Sequence, residues 1–197
     1  VLKAEAEQKA YRLHLEEENR LYDLVEAQTA SQVALLRRLT MQLRQTQDLE
    51  EAKGLLGKIV LVGTYIKRRS DLIFVSGQKT SIRKEELLIG IREFAENLKL
   101  YGVECAVQVM NCERFLTQTV SSVYDIFEAV LEKGIDTLSA VLLCLKMQGS
   151  ILLFTICADC SEDLLPLAET LPGITVWQDE DGLWYLNREF EQGGIEQ

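Results

Sequence analysis

The 197-residue sequence contains a single histidine and only two prolines, and it holds 31 acidic residues against 21 basic ones. One histidine excludes zinc sites that need two or more imidazole ligands. The net charge of −10 disfavours general binding to nucleic acid, because the phosphates would be repelled. No run approaches the roughly 18 apolar residues of a membrane-spanning helix. Hydrophobic residues, at 47% of the total, nevertheless provide enough apolar surface for a folded core.

The five cysteines are odd in number, and the sequence opens without a signal-peptide pattern. We therefore predict reduced thiols in a cytoplasmic protein. Cys157 and Cys160 form a C-x-x-C pair, which is typical of a redox pair or half of a metal site. The other cysteines lack metal-like spacing, so we interpret the pair as small core residues and expect no metal site. Because the first residue is valine, we expect the chain to be cut from a longer protein.

Charge divides the chain into two parts. Residues 1–80 hold 13 basic and 11 acidic residues, whereas residues 81–197 hold 8 basic and 20 acidic residues. This break predicts two modules. In the first, residues 2–46 contain neither proline nor glycine and are rich in strong helix formers. Their apolar residues recur at helical spacing, and this stripe includes Leu21, Leu35 and Leu39.

A helix of about 45 residues would be roughly 67 Å long, which no single small domain can bury. We therefore expect a second copy of the chain to pack on its stripe, with Leu35 and Leu39 in the dimer contact. Asp48 and Glu51 form a capping-box pattern that predicts the start of a second helix. We predict a helical hairpin over residues 1–76, which becomes a four-helix bundle on dimerisation. The Lys67-Arg68-Arg69 triplet is interpreted as favouring the end of this helix, or as a docking site for an acidic partner.

The second module alternates between helical and strand patterns. We predict helices over 83–100, 117–134 and 162–170, and strands over 103–109, 139–147, 151–157, 174–178 and 183–190. The resulting fold class is α+β, with an α/β sandwich over residues 81–191 that places helices on a mixed, largely antiparallel sheet. Residues 192–197 are predicted to form a flexible tail.

Three stretches of the chain carry a family resemblance. They are residues 20–24 (RLYDL), residues 128–133 (EAVLEK) and Asp159 after an apolar strand. With the hairpin and the α/β order, they resemble the transmitter region of bacterial sensor histidine kinases. That family combines a dimerising hairpin, which carries a phosphoacceptor, with an ATP-binding domain of the Bergerat fold. The resemblance implies that Glu128 corresponds to the catalytic glutamate of the N box and Asp159 to the adenine-binding aspartate.

The chain departs from the family pattern at several of these positions. Tyr22, followed by Asp23, stands where the family has its phosphoacceptor histidine, and Glu132 stands at the magnesium-binding asparagine. No glycine occurs between Gly149 and Gly173, although the family places its glycine boxes and ATP lid there. A phenol is a poor nucleophile near neutral pH because its pKa is about 10. Glu128, Glu132 and Asp159 are therefore interpreted as vestigial nucleotide-pocket positions.

Three functional hypotheses follow from these features. The first is a catalytically degenerate, pseudokinase-like module of a bacterial two-component system, which uses no cofactor and acts through homodimer conformation and a downstream protein partner. It would lie in the cytoplasm, with any membrane link made by a preceding segment. The second is a divergent active kinase that uses Mg-ATP and takes His14 as its phosphoacceptor. The third is a coiled-coil scaffold that merely binds a partner.

Overall fold

The computed structural model describes residues 2–193, and the chain begins with two antiparallel helices. Helix α1 (Leu2–Gln45) has 44 residues and helix α2 (Leu49–Ser76) has 28, which correspond to about 66 Å and 42 Å. Asp48 caps α2 by accepting a hydrogen bond from the backbone N–H of Glu51 at 2.8 Å. The Glu51 side chain accepts from Thr46 instead of completing the capping box. The predicted helical hairpin is confirmed.

The first turns of α1 extend beyond the end of α2. Leu21 lies beside Gly77, the C-cap of α2, and is the first buried residue of α1 among the side chains described. Before it, Tyr11 and Leu13 are exposed, Leu13 to 56%. The N-terminal third of α1 therefore projects from the fold without a covering element among residues 2–193.

A five-stranded sheet forms the second part of the chain. The order of its strands across the sheet is β2 (Glu104–Met110), β4 (Ala140–Gln148), β5 (Ile151–Asp159), β7 (Trp184–Glu191) and β6 (Thr175–Gln178). Strands β2 and β4 are parallel and the other pairs are antiparallel, so the predicted mixed sheet is confirmed. Gly149 turns the chain between β4 and β5 with a φ of 62°, which glycine adopts without strain.

Helices α3 (Lys84–Leu100) and α4 (Thr117–Gly134) cover one face of this sheet. Alternate residues of β4 and β5 point towards them, which is why Leu143, Leu145, Phe154 and Ile156 are almost fully buried. The expected α+β class, a helical hairpin followed by an α/β sandwich, is confirmed by this arrangement. None of the helices described has an apolar stretch long enough to cross a bilayer.

Two short strands were missed in the sequence. Strand β1 (Ser81–Arg83) pairs antiparallel with β3 (Arg114–Leu116), in a sheet separate from the main one. Each has only three residues, which is too short for an alternating pattern to stand out. In the sequence, α3 and β2 lie between these two strands. The pairing of the strands brings the start of α4 close to the end of α2.

Two further expectations are wrong in detail. The helix predicted over 162–170 is observed only as α5 (Leu167–Thr170), because Pro166 favours a helix start rather than a helix interior.

The tail was expected to loosen from Gln192, but Gln192 is buried. Its side chain accepts from the Leu116 N–H at 3.1 Å and donates to Thr119 Oγ1 at 2.7 Å. Residues 194–197 of that predicted tail lie outside the described residues.

Helix α2 packs directly on the α/β part. Leu61, Tyr65 and Leu72 of α2 belong to the same buried cluster as the sheet and its two helices. The boundary between a hairpin ending at residue 76 and a sandwich starting at residue 81 stays a prediction. The hydrophobic core itself is continuous across that boundary.

Candidate functional site

Helix α4 carries the acidic pair that the sequence singled out. Glu128 and Glu132 are one helical turn apart, so they share one face of the helix. This face turns towards α1 and α2, which lie over it. Glu128 is only 8% exposed, whereas Glu132 lies at the surface. The pair therefore runs from the interior of the fold to the solvent.

A cavity of about 300 Å³ separates this face of α4 from the hairpin. Most of its wall is apolar, and the polar lining consists of the two glutamates and two basic side chains from the hairpin. The lining residues are Leu35, Arg38, Leu39, Lys58, Leu61, Val62, Phe94, Glu128, Leu131, Glu132 and Ile135. Leu35 and Leu39 thus face α2 and α4 of their own chain, which corrects their expected place in a dimer contact.

The Glu128 carboxyl is strongly perturbed by this setting. Its Oε1 accepts no hydrogen bond from the residues that the structure describes. Burial raises the pKa of Glu128 to about 7, and the negative charge of Glu132 adds to the shift. The Gln32 side chain on α1 opposes the shift by hydrogen bonding. Near neutral pH the carboxyl is therefore poised between its neutral and charged forms.

Sequence reasoning missed the hairpin side of this site. Gln32, Arg38 and Lys58 were not selected, although the sequence held a signal for the first. The apolar stripe of α1 is interrupted by Gln28, Thr29 and Gln32, a pattern that disfavours a coiled-coil seam. The interruption at Gln32 belongs to this site, because the Gln32 side chain lowers the pKa of the buried Glu128 carboxyl.

Asp159 does not line this cavity. It is exposed at the end of β5, where it accepts a hydrogen bond from Ser139 Oγ at 2.5 Å. The chain after it turns back onto α4, because Cys160 Sγ lies 3.3 Å from the position of a Cβ on Gly134. Leu164 is fully buried in the core. The structure therefore brings Glu128 and Glu132 together with the hairpin, but not with Asp159.

The positions equivalent to the phosphoacceptor lie farther along α1. Tyr22 is 62% exposed and packs edge-on against Phe74 with ring centroids 5.5 Å apart, and Asp23 is exposed beside it. His14 is also exposed, with Nε2 3.5 Å from Glu18 Oε1. Measured along the helix, Tyr22 is about 15 Å and His14 about 27 Å from Gln32. Within one chain, neither residue reaches the cavity.

The basic triplet of α2 has an internal role. Lys67 and Arg68 both pair with Glu93 of α3, and Arg69 Nε lies 3.1 Å from Asp125 Oδ1 of α4. Helix α2 continues to Ser76, so the triplet is not at its end. The helix-terminus interpretation of the triplet is therefore wrong, and the acidic docking site stays a prediction. The triplet fastens the hairpin to the α/β part.

Cys157 and Cys160 are not joined by a disulfide bond. All five cysteines are free thiols, Cys160 is buried beside α4, and Cys157 is half-buried on β5. Among residues 2–193, no group of three or more histidine, cysteine or acidic side chains is placed to hold a metal ion.

No protein-family model matches the chain, and no curated protein matches it by sequence. The solved structures with a similar fold include several histidine kinases. The catalytic domain of histidine kinase ThkA shares 11% identity at a TM-score of 0.45, over 57% of this chain and 95% of that one. The histidine kinase domain of the Erythrobacter litoralis EL346 blue-light activated histidine kinase shares 13% identity at a TM-score of 0.44. The match covers 80% of this chain and 95% of that one.

Acinetobacter baumannii histidine kinase AdeS gives 10% identity and a TM-score of 0.42, over 84% of this chain and 97% of that one. Another structure is of histidine kinase ThkA in complex with response regulator protein TrrA. At these values the likeness carries no conclusion about what this chain does. The structures named here by description are of histidine kinases.

Proposed function

We propose that this chain is a histidine-kinase-like signalling module that works through helix conformation and protein binding, without phosphoryl transfer. The observation that carries the proposal is the covering of the Glu128 face of α4 by α1 and α2. In the family that the sequence resembles, the corresponding face belongs to the nucleotide site. Here it faces mainly leucine, valine and phenylalanine side chains, which offer a triphosphate no donors, and Arg38 and Lys58 are the basic side chains in the lining.

Two features of the other kinase-like positions support the proposal. Tyr22, at the acceptor position, is a phenol whose ordinary pKa of about 10 makes it a weak nucleophile. Residues 160–174 connect β5 to β6 with no helix but the four-residue α5, and Leu164 within them is fully buried. A connection whose middle is held in the core is poorly suited to open and close over a nucleotide.

The hairpin also supports a homodimer. Leu49, Leu56 and Val60 lie at seven- and four-residue spacing on α2 and are all exposed, Leu56 to 52%. A second hairpin packed on this row would form the four-helix bundle. In this proposal an upstream sensor moves the projecting start of α1, and a downstream protein reads the new helix arrangement. We place the module in the cytoplasm, joined to a membrane sensor through a preceding segment.

Nucleotide binding tests the proposal directly. Isothermal titration of the chain with Mg-ATP should give no binding heat up to millimolar nucleotide. A micromolar dissociation constant would overturn the proposal, because it would show a working nucleotide site. The Asp159→Asn variant is the matched control, since loss of any binding heat in it would assign that heat to the adenine-binding position.

A divergent active kinase is the second candidate, and the exposed imidazole of His14 beside Glu18 favours it. Incubation with γ-labelled ATP separates the two candidates. The proposal predicts no acid-labile label on the chain. Label that persists in Tyr22→Phe but disappears in His14→Ala would instead establish the active kinase. A passive scaffold, in contrast, predicts a dimer whose helix spacing stays fixed when the start of α1 is restrained.

A further inference from the structure

The cavity between the hairpin and α4 combines an apolar wall with one unsatisfied acceptor. Leu61, Phe94 and Leu131 contribute to the wall, and the buried Glu128 carboxyl opens into the space between them. Glu128 is 92% buried, since only 8% of it is exposed, and its Oε1 lacks a partner among the described residues. A buried carboxylate oxygen without a donor is costly. A ligand that brings a donor would remove that cost.

We propose that this cavity binds a small amine, with its ammonium group on Glu128 and its apolar body against the leucine and phenylalanine wall. A protonated amine donates up to three hydrogen bonds and carries the opposite charge. Charge-assisted hydrogen bonds are about twice as strong as neutral ones. An alcohol would satisfy the same oxygen, but without the attraction to the second carboxylate at Glu132.

The volume limits the size of the ligand. At about 30 Å³ for a water-sized group, a cavity of about 300 Å³ holds roughly ten such groups. This is enough for an alkyl or aryl monoamine. A nucleoside triphosphate has about three times as many non-hydrogen atoms as this space holds. The cavity therefore takes a different and smaller ligand, although it includes Glu128 and Glu132, two positions that the family resemblance assigns to a nucleotide pocket.

The charged groups around Glu128 favour a cation on the α4 side. Glu132 and Asp125 lie on the same helix and both raise the pKa of Glu128. Opposite them, Arg38 of α1 and Lys58 of α2 line the cavity. Lys58 is already paired with Asp136, Nζ to Oδ1 at 2.6 Å, which reduces its repulsion of a second cation. A ligand ammonium is thus drawn towards α4 and away from Arg38.

The test uses hexylamine, hexanol and hexanoate as probes of equal chain length. Isothermal titration at pH 7 should show binding of hexylamine, weaker binding of hexanol and no binding of hexanoate. Glu128→Gln should weaken hexylamine binding at least about tenfold, because a charge-assisted hydrogen bond is lost. Hexanol binding should change little. The control Glu96→Gln removes an exposed acid of α3 away from the cavity and should leave both affinities unchanged.

Proton release provides a second readout, which a purely structural role of Glu128 would not move. Because the pKa of Glu128 is about 7, the ammonium should drive the carboxyl fully into its charged form and release about half a proton at pH 7. Titrations in two buffers of different ionisation enthalpy measure this number. If Glu128→Gln fails to fold, Glu132→Gln at the surface should still weaken hexylamine binding severalfold.

The proposal is overturned if hexylamine does not bind at about 10-millimolar concentration, or if Glu128→Gln binds it as well as the unchanged protein. Equal affinity for hexylamine and hexanol would likewise reduce the site to an apolar cavity. None of these outcomes depends on nucleotide binding. The failure of this inference and the failure of the proposed function are therefore distinguishable.

Discussion

The ring of Tyr101 lies directly against Gly57. A Cβ atom on Gly57 would stand 2.0 Å from Tyr101 Cδ2 and 2.2 Å from Cε2, which is far inside van der Waals contact. Gly57 sits within α2, and Tyr101 caps the end of α3. This close approach is one of the contacts that seat the hairpin on the α/β part, and it gives a physical reason for a glycine inside a helix.

Gly57→Ala should therefore destabilise the protein by about 1–2 kcal/mol, because the ring must move out of its place. Gly63 is the matched control, since it lies in the same helix and a Cβ there would meet nothing within 4 Å. Gly63→Ala should stabilise by up to about 1 kcal/mol through helix propensity. Urea denaturation measures both. Equal effects of the two variants would show that Tyr101 does not restrain α2.

Removing the charge at Asp125 should loosen the hairpin from α4. Tyr65 donates a hydrogen bond to Asp125 at 2.8 Å, and Arg69 pairs with the same oxygen at 3.1 Å. Asp125→Asn leaves the Arg69 charge without its partner, so we expect a loss of about 1–3 kcal/mol in the free energy of unfolding. Glu50→Gln, which breaks the exposed pair with Lys53, should change little. If the two variants lost a comparable free energy of unfolding, Asp125 would not hold the hairpin to α4.

Stability should fall as pH rises through the titration of Glu128. Its pKa is about 7 in the folded chain against an ordinary value of 4.5, so the folded state binds more protons between these two values. The free energy of unfolding therefore decreases by about 1.4 kcal/mol per pH unit between pH 4.5 and pH 7. Above pH 7 this contribution no longer changes with pH. Other groups add their own slopes to this one.

Glu128→Gln should remove that contribution. At pH 8 the variant should be more stable than the unchanged protein by on the order of 3 kcal/mol, and at pH 4.5 the two should be nearly equal. Denaturant melts at four pH values between these limits measure the difference. A constant difference across the range would mean that Glu128 titrates as an exposed carboxyl does.

The proposed dimer predicts that one face of α2 is sensitive to charge. Leu56→Glu places a carboxylate in the exposed row with Leu49 and Val60, and light scattering should then show a monomer. Because Leu56 is exposed within one chain, the far-ultraviolet circular dichroism should be unchanged. Leu100→Glu, at the exposed end of α3, is the matched control. A dimer that survives Leu56→Glu would place the contact elsewhere.

Much of the fold was predictable because its signals are local. The long glycine-free segment of α1, the cap at Asp48 and the turn glycine at Gly149 each act within a few residues. The short strands β1 and β3 and the anchoring of Gln192 were not predictable. Their hydrogen bonds join residues that are distant in sequence, such as Gln192 and Thr119, and no local pattern records such a partner.

Some features of the candidate site were likewise predictable from the sequence, and others depend on the tertiary structure. Helical spacing by itself placed Glu128 and Glu132 on one face of a helix, and the missing histidine at Tyr22 could be read directly from the sequence. Only the tertiary structure decided that α1 and α2 cover that face, that Leu35 and Leu39 face inward, and that the basic triplet pairs with Glu93 and Asp125. The reason is physical, because the burial and pKa of a carboxyl depend on atoms brought near it by folding.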